Sequence, residues 1–101
     1  MAKFITRIEL HNAGSDDYEK LHEEMEKEGF EKTITSSDGK EYSLPDGEYH
    51  YDKQVPINPG KEDYQIVLEK AKKAAQKTNK KFGVITSRKD VSTWDNLKEV
   101  E

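Results

Sequence analysis

The first apolar run of the chain alternates. Phe4, Thr6, Ile8 and Leu10 share one parity and Ile5, Arg7, Glu9 and His11 the other, the period-two pattern of a strand with one face in a core and one outside it. Residues 12 to 15 read as a loop, and Asp16 with Glu19 three residues later predicts a capping-box start to a helix. Tyr18, Leu21, His22 and Met25 follow at helical spacing, and Gly29 marks the stop. Residues 30 to 36 carry β-branched and aromatic positions with Phe30 and Ile34 on one parity, a second strand. Asp38-Gly39 predicts a tight hairpin turn, since that turn needs positive φ. A third strand begins near Glu41, is interrupted by Leu44-Pro45-Asp46-Gly47 and resumes as an edge over Glu48 to Tyr51. After a loop with two prolines, Asn58 or Pro59 opens a second helix. Its apolar face of Tyr64, Val67, Leu68, Ala71, Ala74, Ala75 and Thr78 is the strongest periodic signal in the chain. Phe82, Val84 and Thr86 form a fourth strand, and Val91, Trp94 and Leu97 anchor a short C-terminal strand or cover segment.

This order predicts an α+β fold, a ferredoxin-like βαββαβ sandwich with two helices on one face of an antiparallel sheet. The phase of the first strand sets Phe4, Ile8 and Leu10 beneath the helices and leaves Ile5, Arg7, Glu9 and His11 on the open face. At 101 residues the chain fits a single domain spanning 1–101.

Composition decides between a folded and a disordered chain. Leu, Ile, Val and Phe number only 19 of 101 and 38% of residues are charged, a range where disorder is considered. The net charge is only -4, both signs are interspersed, and five Tyr, two Met and one Trp add buriable surface, so a folded domain with a thin core is expected. The absence of cysteine excludes disulfides, thiolate chemistry and cysteine-held zinc, and suits a reducing cytoplasm. The opening MAKFITRIELHN is too charged for a signal peptide, and no run approaches the roughly 20 apolar residues of a membrane span. The expectation is a cytoplasmic protein without membrane contact. A pI near 5.4 argues against indiscriminate nucleic-acid binding over the whole surface and leaves room for a local basic patch.

Phosphate-cradling glycine loops, dinucleotide fingerprints and helical His-Glu-x-x-His are missing, and His11, His22 and His50 show no metal-ligand spacing. No metal and no cofactor are expected. Arg7, Glu9 and His11 form a coherent set for phosphodiester chemistry on RNA. A carboxylate or imidazole there takes a 2'-hydroxyl proton, and the guanidinium holds the phosphate. Alternate polar residues are also what a solvated or dimer-contacting open sheet requires, and the pattern leaves both open.

From Lys61 to Lys81 seven lysines face three acids, a local balance of +4, with Lys70, Lys73, Lys77, Lys80 and Lys81 as the candidate phosphate-binding set. The same lysines complement the helix dipole. From Asp16 to Glu31 eight acids meet two lysines, giving -6, a polarity suited to self-association, to a basic protein partner or simply to solvent. Tyr42, Tyr49 and Tyr51 serve either edge-strand packing or base stacking. His22 reads as a hydrogen-bonded histidine at the core margin, and Trp94 as packing the C-terminal segment onto the domain.

Arg7-Ile8-Glu9-Leu10-His11, Asp17-Tyr18, Leu21-His22, Met25, Gly29-Phe30, Tyr42-Ser43-Leu44-Pro45, Glu48-Tyr49, Lys70-Ala71, Ala74-Ala75 and Lys77-Thr78 together resemble a family of small bacterial and phage proteins. That family is similar in turn to the GhoS antitoxin, the endoribonuclease of a type V toxin-antitoxin pair, whose fold resembles the small CRISPR-associated ferredoxin-like nucleases. The resemblance covers nearly the whole chain. It implies a ferredoxin-like fold and RNA cleavage as an inherited possibility. The CRISPR-associated proteins are expected to carry an aspartate at the end of the first strand, where this chain has Glu9-Leu10-His11-Asn12, a departure that puts metal-dependent cleavage in doubt. The expected function is RNA binding with antitoxin-like endoribonuclease activity, and the alternative is a non-catalytic, homodimeric or protein-binding module.

Overall fold

A computed structural model describes residues 3–89 and 97–100. The elements run β1 (Lys3–Leu10), α1 (Ser15–Lys27), β2 (Thr33–Thr35), β3 (Glu41–Ser43), β4 (Glu48–Tyr51), α2 (Asp63–Gln76) and β5 (Phe82–Lys89). The fold is α+β: a three-stranded antiparallel sheet in the order β4-β1-β5, and a second, two-stranded sheet of β2 and β3.

The parity of β1 is realised. Phe4, Thr6, Ile8 and Leu10 are buried, and Arg7 and Glu9 are exposed. Register carries that phase to the neighbours: Phe4 faces Tyr51 and Thr6 faces Tyr49 on β4, while Ile8 faces Val84 and Leu10 faces Phe82 on β5. Leu21 and Met25 of α1 and Val67, Ala71, Ala74 and Ala75 of α2 join the same cluster. Both helices therefore cover one face of the sheet. Burying a single Leu, Phe or Met contributes about 1.5–3 kcal/mol, against about 0–1 kcal/mol for a surface ion pair, so apolar contact rather than charge holds the helices down. The polar Thr6 is tolerated at the centre because its hydroxyl lies 2.7 Å from that of Thr86.

The stop of α1 forms as a Schellman motif. Gly29 takes φ +97°, its N–H donates to the Glu26 carbonyl at 3.0 Å, and the Phe30 N–H donates to the Met25 carbonyl at 3.0 Å. The start differs from the Asp16 and Glu19 expectation. Gly14 is the N-cap, and the Asp17 carboxylate accepts the Gly14 N–H at 3.0 Å. Helix α2 begins at Asp63 rather than at Asn58 or Pro59. Those residues instead form a turn with Gly60 at φ +88°, closed by the Lys61 N–H on the Asn58 carbonyl at 3.1 Å.

The largest correction concerns the third strand. Glu48 to Tyr51 does not resume β3 as an edge: it is a separate strand, β4, lying between β1 and a bridge from His50 to Glu31. The turn before it explains the departure. Gly47 at φ +87° lets its carbonyl accept the Ile8 N–H at 2.7 Å, which delivers the chain onto β1. At the C-terminus Glu99 bridges Tyr42, with the Ser43 N–H on the Lys98 carbonyl and the Val100 N–H on the Glu41 carbonyl, each at 2.8 Å. The described part of the expected C-terminal strand or cover segment meets β3 through an isolated bridge rather than a strand, whereas Val91 and Trp94 lie outside the described residues.

Candidate functional site

The open face of the central sheet is built by β1 alternation. The His11 imidazole Nε2 lies 3.9 Å from the Glu9 carboxylate, with side-chain exposures of 52% and 78%. Arg7, two residues earlier on the same strand face, is exposed and makes no ion pair with a described residue. Arg7, Glu9 and His11 therefore form one solvent-facing row.

Neighbouring strands add to the row. Glu48 of β4 and Ile85 of β5 stand directly opposite Arg7, while His50 and Ser87 stand opposite Ile5. Burial lowers the His50 imidazole below its ordinary range, and the Lys3 charge adds to this against opposing Asp52 and Glu31. Ile85 is a large apolar side chain 63% exposed on this face. Sequence reasoning about the row missed Glu48 because no local pattern links residues 7 and 48; only the β1–β4 register does.

The candidate lysines divide into two groups. The His11 N–H donates to the Lys81 carbonyl at 2.8 Å, which extends the β1–β5 ladder by one step and brings exposed Lys81 beside the His11 end of the row. Lys80 sits at the same end, its ammonium donating to the Asn12 carbonyl at 3.0 Å. Lys70 and Lys73 belong to α2 and Lys77 caps its C-terminal end, on the helix-covered side of the sheet. Lys73 lies 3.7 Å from Glu28, Lys77 lies 3.3 Å from Glu24, and Lys80 lies 3.8 Å from Asp17. These three ion pairs join the basic stretch to the acidic one.

A second polar cluster occupies the helix side. His22 is hydrogen-bonded through Nδ1 to the Tyr49 phenol, and its Nε2 lies 3.8 Å from Asp46, which Lys32 approaches to 3.6 Å. Burial, then the Lys32 charge, lower the His22 imidazole, while burial raises the Tyr49 phenol strongly. This is the core-margin histidine expected of His22. Tyr49 and Tyr51 are core residues packed around Phe30, with ring centroids 6.4 Å and 5.0 Å from it, so base stacking by those two is overturned.

Among the described residues no group of three or more His, Asp or Glu is placed to hold a metal ion, and no helix is long and apolar enough to cross a membrane. Comparison with protein-family models, with curated proteins and with solved structures gives no match to this chain. The functional reading rests on the residues themselves.

Proposed function

We propose that this is a ferredoxin-like, cytoplasmic RNA-binding protein that cleaves RNA on the open face of its sheet, in the manner of an antitoxin endoribonuclease. The strand order β4-β1-β5 supports that topology, with Glu31 bridging the far side of β4 so that the segment after α1 sits next to it. The observation that carries the function is the Glu9–His11 pair at 3.9 Å, exposed and in line with Arg7. Carboxylate and imidazole are proton-transfer groups, and a guanidinium with no ion partner among the described residues presents donors to phosphate oxygens. Lys81 beside His11 extends the cationic path for a backbone, while Lys70, Lys73 and Lys77 serve RNA only from the other side of the sheet. A GhoS-like relationship belongs to this proposal. Purified protein incubated with pooled cellular RNA is expected to cleave it, with loss of cleavage in Glu9→Gln and in His11→Ala. Intact RNA, or cleavage indifferent to both changes, overturns the reading.

Ile85 supports a second reading. A large aliphatic side chain 63% exposed and opposite an arginine suits a contact between two copies of the open face, with apolar centre and charged rim. In that reading the chain is a non-catalytic interaction module. Sedimentation of wild type and Ile85→Thr separates the two: a dimer that the substitution dissociates, without RNA cleavage by either, favours the module.

A further inference from the structure

We infer that the open face carries a seat for one unpaired nucleobase, floored by the backbone of Gly83 and walled by Ile85, with Lys81 taking the adjoining phosphate; this rests on the RNA-binding reading above. Its foundation is a glycine that the fold does not require. Glycine weakens a strand interior, because it loses the most chain freedom and packs no side chain. Gly83 lies inside β5 without the positive φ of Gly29, Gly39, Gly47 and Gly60, and a Cβ built on it meets no atom within 4 Å. Neither backbone conformation nor crowding demands it. A strand glycine of that kind marks a place where a ligand or another chain comes close to the backbone.

Register sets what surrounds it. Glu9 of β1 stands opposite Gly83, Arg7 stands opposite Ile85, and His11 is bonded through its backbone to Lys81. By the alternation of a strand all of them belong to the open face, and Gly83 alone among them carries no side chain. Lys81 and Ile85 are both exposed and, four residues apart, stand about 13 Å from each other along the strand. A ring lying flat over Gly83 fits that gap, with the Ile85 aliphatic side chain at its edge and the Arg7 guanidinium, a plane on which bases also stack, within reach. Toward the other end Lys81 offers a cation. A nucleotide has the same order of parts: an apolar ring, a sugar, an anion. A base inside a duplex is stacked on both faces and cannot lie on the sheet, so the RNA is single-stranded at this point. The seat also brings the nucleotide's sugar beside Glu9.

The test compares wild type, Gly83→Ala and Gly83→Val by fluorescence anisotropy. The probes are labelled homopolymers of each base, built from 2'-fluoro nucleotides that lack the 2'-hydroxyl, and an abasic sugar-phosphate oligomer of equal length. Wild type should bind at least one homopolymer about tenfold more tightly than the abasic oligomer, and Gly83→Val should lose that advantage while keeping its abasic affinity and urea midpoint. Gly83→Ala, whose methyl has open space around it, should lose less in the same direction, and it decides the matter where valine disturbs the fold. Homopolymers bound equally by all three proteins, or a loss that extends equally to the abasic oligomer, overturn the seat while RNA binding stands. A dimer seen by sedimentation that Gly83→Val dissociates assigns the glycine to a second copy and also overturns the seat. Wild type that binds none of the probes and no cellular RNA overturns both the seat and the RNA reading.

Discussion

Lys77 on α2 places its ammonium 3.3 Å from the carboxylate of Glu24 on α1, a residue only 3% exposed, which also holds Lys20 and Lys27 at 3.1 Å each. Lys20 and Lys27 brace that carboxylate from α1 itself, and Lys77 alone of the three cations ties it to the end of α2. Hydrogen bonds from Lys20, then Lys27, then Lys77 hold the Glu24 carboxyl at about 2, against an ordinary 4.5. Because the folded value is the lower one, the stabilisation is complete above 4.5 and disappears as pH falls towards 2. Glu24→Gln should lower the urea midpoint near neutrality, and the gap to wild type should close across that acid window. A gap that persists unchanged into acid would mean the charge is not what stabilises.

The same contact predicts how the lysines divide. Lys77→Ala and Lys73→Ala should reduce stability more than RNA affinity, whereas Lys81→Ala, beside His11, should weaken RNA binding and lower the salt slope by about one ion. Fluorescence anisotropy of labelled RNA at several salt concentrations measures this, and equal effects from all three substitutions would contradict it.

His22 and His50 are both lowered, chiefly by burial. The unfolded imidazoles bind protons at higher pH than the folded ones, so stability is complete above 6.5 and is lost as pH falls below it. Urea titrations at about pH 7.5 and about pH 5.5 should show that loss, reduced in His22→Gln and in His50→Gln. Tyr49→Phe, which removes the partner of His22 Nδ1, should cost about 1–2 kcal/mol at the higher pH.

Two turn glycines of similar backbone should respond differently. Gly47 at φ +87° would set a Cβ 2.5 Å from the Ile8 carbonyl oxygen, whereas Gly39 at φ +85° has open space around it. Gly47→Ala should destabilise by at least about 2 kcal/mol and disturb the delivery of β4 onto β1. Gly39→Ala should cost about 1 kcal/mol. Thermal unfolding of the pair checks the order, and equal losses would contradict it.

What could be read along the chain is what local periodicity encodes. The parity of Phe4 to Leu10 assigned both faces of β1, and Leu21, Met25, Val67, Ala71, Ala74 and Ala75 marked the helix faces that reach the core. Helix starts were less visible. Asp16 carries the better capping signature, yet Asp17 makes the contact to Gly14, a residue with no side chain to announce a cap. Pro59 has the φ of a first helical residue but sits in a turn whose next position, Gly60, is left-handed. The Leu44-Pro45-Asp46-Gly47 break between β3 and β4 was visible in a short window, but the pairing of β4 with β1, its Glu48–Arg7 register and the lysine–acid pairs between the helices are non-local and were not. The row Arg7, Glu9, His11 was legible as a set of chemistries, and the Glu9–His11 distance became visible only in the folded strand.

The measurement that bears most directly on the central claim is a double-mutant cycle of single-turnover RNA cleavage with wild type, Glu9→Gln, His11→Ala and the double variant, each checked for an unchanged urea midpoint. Groups that act in one step lose far less together than the product of their separate losses. The expected result is cleavage by wild type, a fall of about 10²–10⁴-fold in each single variant and little further loss in the double. Wild type that leaves RNA intact, or single variants that cleave as fast as wild type, would contradict it.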